Sequence, residues 1–232
     1  MSTATPAAIA PLPLIAMVGG TGNLGLALGR RWVKGGLDVM IGSRDATRAQ
    51  ESAAALAREF GRAVLAGTNR EAAERGGLIV VTVPYAAHSA TLQEIREFAA
   101  GKILLDTTVP LVPPKVMRVQ LPPEGSAAQK AQALLGDAVT VVAAFHNVAA
   151  HKLATDAPID CDVLVFSDHK EARRSVIRLA TIAGLRGLHG GALANAAAAE
   201  ALTSVLIFIN KTYGVDGAGL RITGTLTEPA DG

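Results

Sequence analysis

The stretch Gly19-Gly20-Thr21-Gly22-Asn23-Leu24-Gly25 constrains the fold of this chain more than any other. It follows the apolar run Leu14-Ile15-Ala16-Met17-Val18 and leads into Leu26-Ala27-Leu28-Gly29-Arg30-Arg31-Trp32. That order reads as a buried strand, a glycine turn and a helix start. Gly20, Gly22 and Gly25 stand in GxGxxG spacing. In a βαβ unit the first glycine of this pattern permits the tight turn, and the second lets backbone N–H groups approach a pyrophosphate. The third allows close helix–strand packing, and the positive end of the helix faces the phosphates. Many glycine turns bind nothing, so the motif carries weight here because a strand precedes it and a helix follows.

The next strand, residues 37–41, ends in Gly42-Ser43-Arg44. Sites that prefer NAD place Asp or Glu about 20 residues past the glycine loop, to accept from the ribose hydroxyls. A carboxylate there would repel a 2′-phosphate. Arg44 can grip one bidentately, and Ser43 can donate a further hydrogen bond. Arg48 shares one side of the first turn with Arg44 if a helix begins near Asp45. The plainer reading is a solvated, arginine-bearing helix start. The residue types at this strand end predict NADP(H) in place of NAD(H).

Strand and helix patterns alternate from Leu14 onward, which predicts an α/β fold, a Rossmann-type doubly wound parallel sheet. Helices are expected over 44–60, 85–99, 126–135, 170–183 and 193–211. Strands are expected over 63–66, 78–83, 102–106, 138–143, 163–166 and 185–188. Between them, residues 107–124 hold Pro110, Pro113, Pro114, Pro122 and Pro123, poor material for a helix or central strand. They read as a long loop beyond the carboxyl end of the sheet. The domain division is a disordered lead-in at 1–13, a nucleotide-binding domain at 14–146, and a smaller C-terminal α/β domain at 147–232.

Half of the 232 residues are hydrophobic but only 3% are aromatic, a composition for buried Val/Ile strands under alanine-rich helices and not for stacking bases. With 22 basic against 20 acidic residues and no basic block, no electrostatic case arises for nucleic acid or membrane binding. The single cysteine, Cys161, reads as a small core residue and fits a reducing, cytoplasmic setting. The lead-in lacks a basic segment, so it is not read as a signal peptide. The helix at 193–211 is apolar almost all round, as a helix buried in a core or between subunits would be.

With those residues in hand, the chain resembles the F420:NADP oxidoreductases, NADPH-dependent reductases of the deazaflavin coenzyme F420. The resemblance runs from Leu14 to about Tyr213. It rests on GGTGNLG at 19–25, GSR at 42–44, TVP at 82–84, VPLVP at 109–113, AAFHNVAAHKLA at 143–154 and EALT at 200–203. It implies direct hydride transfer between C4 of a nicotinamide and C5 of a deazaflavin, in a homodimer whose smaller domain completes the deazaflavin pocket. By position it gives Gly20, Thr21, Gly22, Asn23 and Leu24 to the pyrophosphate and nearby ribose, and Ser43, Arg44 and Arg48 to the 2′-phosphate. Thr82, Val83 and Pro84 fall at the nicotinamide ribose. His146 falls at the cleft between the two cofactors, where it would orient one of them or stabilise charge on the deazaflavin ring. Val109 to Val112, Asn195, Glu200 and Thr203 would line the deazaflavin side. The chain departs from the family at Tyr85, where members often carry Trp, and at the alanines 196–199, where they often carry larger or charged residues.

Hydride transfer between two bound cofactors needs alignment and no nucleophile, metal or acid–base pair. No HExxH, CxxC or GxSxG occurs, and the five histidines lack metal-ligand spacing. His88, His151, His169 and His189 read as surface or capping residues. Asp106-Thr107-Thr108 reads as a tether for the loop in preference to a catalytic carboxylate. Two rivals remain open. An NADP-dependent imine or ketone reductase would need a proton donor, for which the C-terminal half offers Lys152 and Lys211. A non-catalytic NADP(H) sensor would need a partner surface or tail, which residues 214–232 hardly offer.

Overall fold

The computed structural model describes residues 11–227, so most of the expected lead-in lies outside the described residues. Eight strands form one sheet in the order β3-β2-β1-β4-β5-β6-β7-β8. The first six are β1 (Ile15–Val18), β2 (Val39–Ser43), β3 (Leu65–Thr68), β4 (Leu78–Val81), β5 (Ile103–Asp106) and β6 (Thr140–Ala143), each paired parallel to its neighbour. The order reverses between β1 and β4, so the carboxyl ends of these two strands open the crevice where doubly wound sheets bind ligands. β7 (Asp162–Phe166) and β8 (Arg186–Gly191) extend the same sheet. Its one antiparallel join, Ala143 against Phe166, separates the expected nucleotide-binding half from the rest.

The helices are α1 (Asn23–Lys34), α2 (Ala46–Phe60), α3 (Asn69–Arg75), α4 (Tyr85–Ala99), α5 (Ala127–Leu135), α6 (Ala150–Leu153), α7 (Lys170–Ile182) and α8 (Ala196–Tyr213), with a 3-10 turn at Leu193–Asn195 before the last. Successive strand residues point to opposite faces. Ile15, Met17, Val80 and Val142 therefore join Leu28, Trp32, Leu56, Val176 and Leu179 in one apolar layer. Ala16, Val18, Val81 and Val141 join Leu92, Ile95, Ala131 and Leu193 in the other. Arg31 is buried in α1 and forms no ion pair among the described residues, although the Asp156 charge acts on it. Its guanidinium donates to the carbonyls of Leu153 (2.9 Å), Ala183 (3.2 Å) and Ala157 (3.0 Å), satisfying acceptors left open where α6 and α7 end.

Three local readings are corrected. β2 and β3 run two residues later than expected, because Gly42 and Ser43 pair with Gly67 and Thr68. α3 was not expected, although Thr68 and Glu71 form a reciprocal capping box at its start, with bonds of 3.2 Å and 2.6 Å. α6, four residues long, is likewise without a sequence forecast. The proline-rich stretch before α5 holds neither helix nor strand, as proline's missing N–H requires.

Candidate cofactor site

Gly20 and Gly25 are demanded by the fold. A Cβ on Gly20 would lie 2.7 Å from the Met17 Cβ, and one on Gly25 only 2.5 Å from Thr82 Oγ1. Gly22 differs. Its φ of −76° suits any residue, and a Cβ there would meet nothing in the protein closer than the Gly19 carbonyl at 3.4 Å. The fold gives no reason for glycine at this position, whereas a phosphate group against the backbone does. Gly22 is also the N-cap of α1. It makes no side-chain cap, and no acidic residue stands in the first turn. The N–H groups of that turn lack intrahelical acceptors and remain free for an anion. These two features fit a pyrophosphate.

Ser43 is buried at the end of β2, its Oγ 3.2 Å from Thr21 Oγ1 and accepting from the Asp45 amide at 3.2 Å. The loop and the strand end are thus tied together by two hydroxyls. Asp45 spends its carboxylate capping α2, accepting from the amides of Thr47 and Arg48 at 3.0 and 3.2 Å. Arg44 and Arg48 are exposed, and neither guanidinium has a hydrogen-bond or ion-pair partner among the described residues. Two uncommitted cations and a hydroxyl at the end of β2 suit a phosphate ester.

At the end of β4, Thr82 donates from Oγ1 to the Val18 carbonyl at 3.1 Å, beside Gly25. The Val83 side chain borders Gly19 at the spot a Cβ would occupy, and exposed Pro84 is the N-cap of α4. Tyr85 follows, its ring 5.5 Å beneath the Lys130 ammonium and stacked near His88.

His88 corrects the expectation of a surface residue. It is fully buried, with Nε2 2.7 Å from Asp106 Oδ2 across α4 and β5. Burial alone would raise the Asp106 carboxyl, but the charge and hydrogen bond of His88 and the Thr108 amide (3.0 Å) outweigh it and hold it below the ordinary carboxylate range. Thr107 donates to the Val81 carbonyl at 2.9 Å, so this segment does tether the loop to the sheet. Val109 is half-buried just beyond.

The chain leaves β6 through Phe145, the one non-glycine residue with positive φ (67°) among the described residues. Such a conformation costs about 1–2 kcal/mol. The edge-on contact of its ring with Trp32 at 6.0 Å holds it in place. The turn carries His146 inward, 6% exposed, with neither ring nitrogen partnered. Burial lowers its pKa to about 4, against the pull of Asp106 in the opposite direction, so the ring is neutral at pH 7. Two orphaned ring nitrogens cost about 1–3 kcal/mol each unless a ligand or water meets them. A flat heterocycle with donors and acceptors on its edge fits that requirement.

The residues of the last helix are more committed. Thr203 donates to the His146 carbonyl at 2.9 Å and accepts from Asn147 Nδ2 at 3.1 Å. Glu200 is buried and takes the Ala127 and Ala128 amides at 2.6 and 3.1 Å, closing the N-terminus of α5. Burial pushes its carboxyl up to about 8, against those two N–H groups. Asn195 is exposed and donates to the Gly190 carbonyl at 3.1 Å. The structure thus brings His146 and Thr203 into direct contact and holds Glu200 on α5, while Asn195 bonds at the end of β8. Sequence reasoning missed Asn69, buried with Oδ1 accepting from the Gly19 amide at 3.1 Å. The Thr-x-x-Glu pattern before it would have flagged its helix.

Two concavities hold mixed charge, one of about 830 Å³ between α1, α2 and α6 and one of about 490 Å³ between α4 and the end of α5. Of the residues expected at the cofactors, Asn23 alone lines either of them. Among the described residues no three His, Cys, Asp or Glu groups gather as a metal site. One helix, Leu193–Tyr213, has the length and hydropathy of a membrane span, with 33% of that stretch buried.

A family profile described as "NADP oxidoreductase coenzyme F420-dependent" matches residues 14–110. The F420-dependent NADP reductase of Methanothermobacter thermautotrophicus is 40% identical over 218 residues, 90% of this chain and 94% of that one. That of Methanocaldococcus jannaschii is 36% identical over 220 residues, 90% of this chain and 97% of its own. A solved protein of Arthrobacter sp. FB24, described as a candidate F420-dependent NADP reductase, superposes with a TM-score of 0.75 at 23% identity, covering 91% of this chain and 98% of the other, and so speaks for the fold.

Proposed function

Because the chain belongs to the family of coenzyme F420-dependent NADP oxidoreductases, we propose that it moves a hydride between NADP(H) and coenzyme F420. One observation carries the nucleotide half of this reading. The end of β2 presents Ser43 and the unpartnered Arg44 beside an open helix N-terminus whose Gly22 the fold itself does not require. When bound, the nicotinamide supplies a hydride at C4 and the deazaflavin takes it at C5, with one proton from solvent completing the reduction.

The chain's own residues bind and orient. Gly20, Thr21, Gly22, Asn23 and Leu24 hold the pyrophosphate and its ribose, and Ser43, Arg44 and Arg48 hold the 2′-phosphate. Thr82, Val83 and Pro84 flank the nicotinamide end, since Thr82 and Val83 border Gly19 and Gly25 and Pro84 follows them directly. Val109, His146, Asn195 and Thr203 form the deazaflavin side. A neutral His146 has one donor and one acceptor to offer a ring edge, and it cannot act as a cationic acid near pH 7. Its role is to orient.

The same reading includes a cytoplasmic homodimer. The buried, unpaired Cys161 supports a reducing compartment. Val205 and Phe208 on α8 are exposed, as are Val112, Val119 and Leu121 of the proline-rich loop, and apolar side chains left open in this way suit contact with a second copy. The Ser204 hydroxyl bonds the Arg118 carbonyl at 3.2 Å, which joins loop and helix. Light scattering that finds only monomer at micromolar concentration removes the dimer. Mixing the protein with NADPH and F420 and following the absorbance of oxidised deazaflavin tests the activity. Failure to bleach that band rejects the reading in favour of an imine or ketone reductase. NADPH binding with no reduction of any acceptor favours a sensor.

A further inference from the structure

We propose that Asn69 is a positioning residue for the nicotinamide nucleotide, acting through the glycine loop it never leaves. The proposal rests on the reading that this loop binds a dinucleotide. The glycine loop must hold a conformation that its own residues do not favour. Gly19 sits at φ 76°, and glycine loses the most conformational entropy when fixed. Groups from the neighbouring strands pin it. The Gly42 carbonyl accepts from the Gly20 amide at 2.9 Å, Ser43 Oγ meets Thr21 Oγ1, and Asn69 Oδ1 accepts from the Gly19 amide. They come from the ends of β2 and β3, so the loop is braced across neighbouring strands.

The Asn69 bond stands at the head of a relay. It fixes the Gly19 amide; the Gly19 carbonyl accepts from the Gly22 amide at 3.1 Å; and the Gly22 carbonyl accepts from the Leu26 amide at 2.8 Å. Gly22 is the N-cap of α1, so the direction in which the first-turn N–H groups point depends on this chain of bonds. Asn69 is itself held rigidly. It is the first residue of α3, between the capping-box partners Thr68 and Glu71, and Thr68 is paired in register with Ser43. The residue is 1% exposed, and a polar side chain buried there needs a purpose that packing does not give. Its purpose is the bond to Gly19. With its carbonyl oxygen committed to the Gly19 amide, Asn69 acts on the nucleotide by shaping the loop's donors.

Asn69→Ala is expected to raise the Kd of both NADPH and NADH by the same factor, about tenfold, the scale seen when the support of a binding group is removed. Arg44→Ala, by contrast, weakens NADPH alone. In the nucleotide-free protein, deuterium exchange at the Gly19 amide should speed up at least tenfold in Asn69→Ala. In Asn69→Asp, which keeps an acceptor in place, that amide should stay protected. The Asp variant also serves should the Ala variant fail to fold, because loss of Gly19 protection in it would overturn the proposal. So would an Asn69→Ala protein with a lower melting temperature but wild-type Kd for both nucleotides. If the unmodified protein binds neither nucleotide, the reading of the loop fails, and not this residue's part in it.

Discussion

At the ends of β1 and β2 the guanidinium groups and the helix N-terminus that would meet a ligand are exposed and uncommitted, and only the Thr21 and Ser43 hydroxyls are tied to each other. At the ends of β5 and β6 the corresponding groups are buried and, the His146 ring and the Thr108 hydroxyl apart, already bonded to the chain. Gly22, Arg44 and Arg48 wait in solvent, and water keeps their donors satisfied until phosphates replace it. His146, Asn147, Glu200 and Asp106 sit in the interior, where an unpaired group is costly and each neighbour has been found a partner. The difference matches the two ligands. A charged nucleotide tail is held by donors that cost little to keep open, whereas a flat ring is aligned by walls that cannot move. Catalysis by alignment needs the second kind.

The comparison implies that the open site can be destroyed without touching the fold. Gly22→Asp is the sharpest case. Its backbone suits any residue, the Cβ has room, and Asp is a favoured N-cap. Melting temperature should hold or rise. The new carboxylate would occupy the helix N-terminus and repel the pyrophosphate, with the loss of two or three charge-assisted bonds. We expect binding of NADPH and NADH to fall by about 4 kcal/mol, roughly a thousandfold. Normal nucleotide binding by this variant would move the pyrophosphate away from α1.

In the closed site the same kind of change should register in stability. The folded pKa of His146, about 4, lies below its ordinary 6.5. The unfolded chain therefore takes up the proton first, so this contribution is complete above pH 6.5 and is lost as pH falls towards 4. The loss by pH 4 is about 3 kcal/mol. Urea unfolding at pH 7 and pH 4 should show it in the wild type and not in His146→Leu. The raised pKa of Glu200 acts with the opposite sign, giving stability below pH 4.5 that is lost as pH rises through 8, and it cancels in the comparison of the two proteins. Asp106 titrates below its ordinary range, so its loss falls at lower pH. Equal acid sensitivity in both proteins would mean that His146 is solvated. NADPH binding by His146→Leu should stay near wild type, while F420 reduction falls.

Arg44→Ala separates the two nucleotides. NADPH binding should weaken by about 1.5–3 kcal/mol, the worth of a hydrogen bond to a charged group, with NADH unaffected. Equal loss for both would place Arg44 on the pyrophosphate.

The open site was legible in the sequence because its parts are consecutive. Gly19 to Gly25 is one turn of chain after β1 and Gly42 to Arg44 is the end of β2, and the hydrophobic pattern located β1 and, two residues early, β2. The closed site is built from bonds that span the chain. Asn147 reaches α8 across 52 residues, Glu200 reaches α5 across 73, and His88 meets Asp106 across 18. No periodicity announces such pairs. His88 reads as a surface or capping residue in the sequence because only the fold brings a carboxylate to it. Asn69 was hidden by a missed seven-residue helix, although its capping box was there to read.

Thr203 gives the smallest effect and the finest test of the contrast. Family resemblance puts it on the deazaflavin, yet its hydroxyl is spent on the His146 carbonyl and on Asn147. Thr203→Val keeps the shape and removes those bonds. If the hydroxyl serves only to hold the His146 turn against α8, stability should fall by about 1 kcal/mol, the net worth of a hydrogen bond. In a chain of this size that is a drop of about 2–4 °C in melting temperature. F420 turnover should then fall less than in His146→Leu, because the imidazole stays near its place. Should turnover instead collapse as far as in the histidine variant while the melting temperature holds, Thr203 touches the ring itself. The wall of the closed site would then have to move for the deazaflavin to enter.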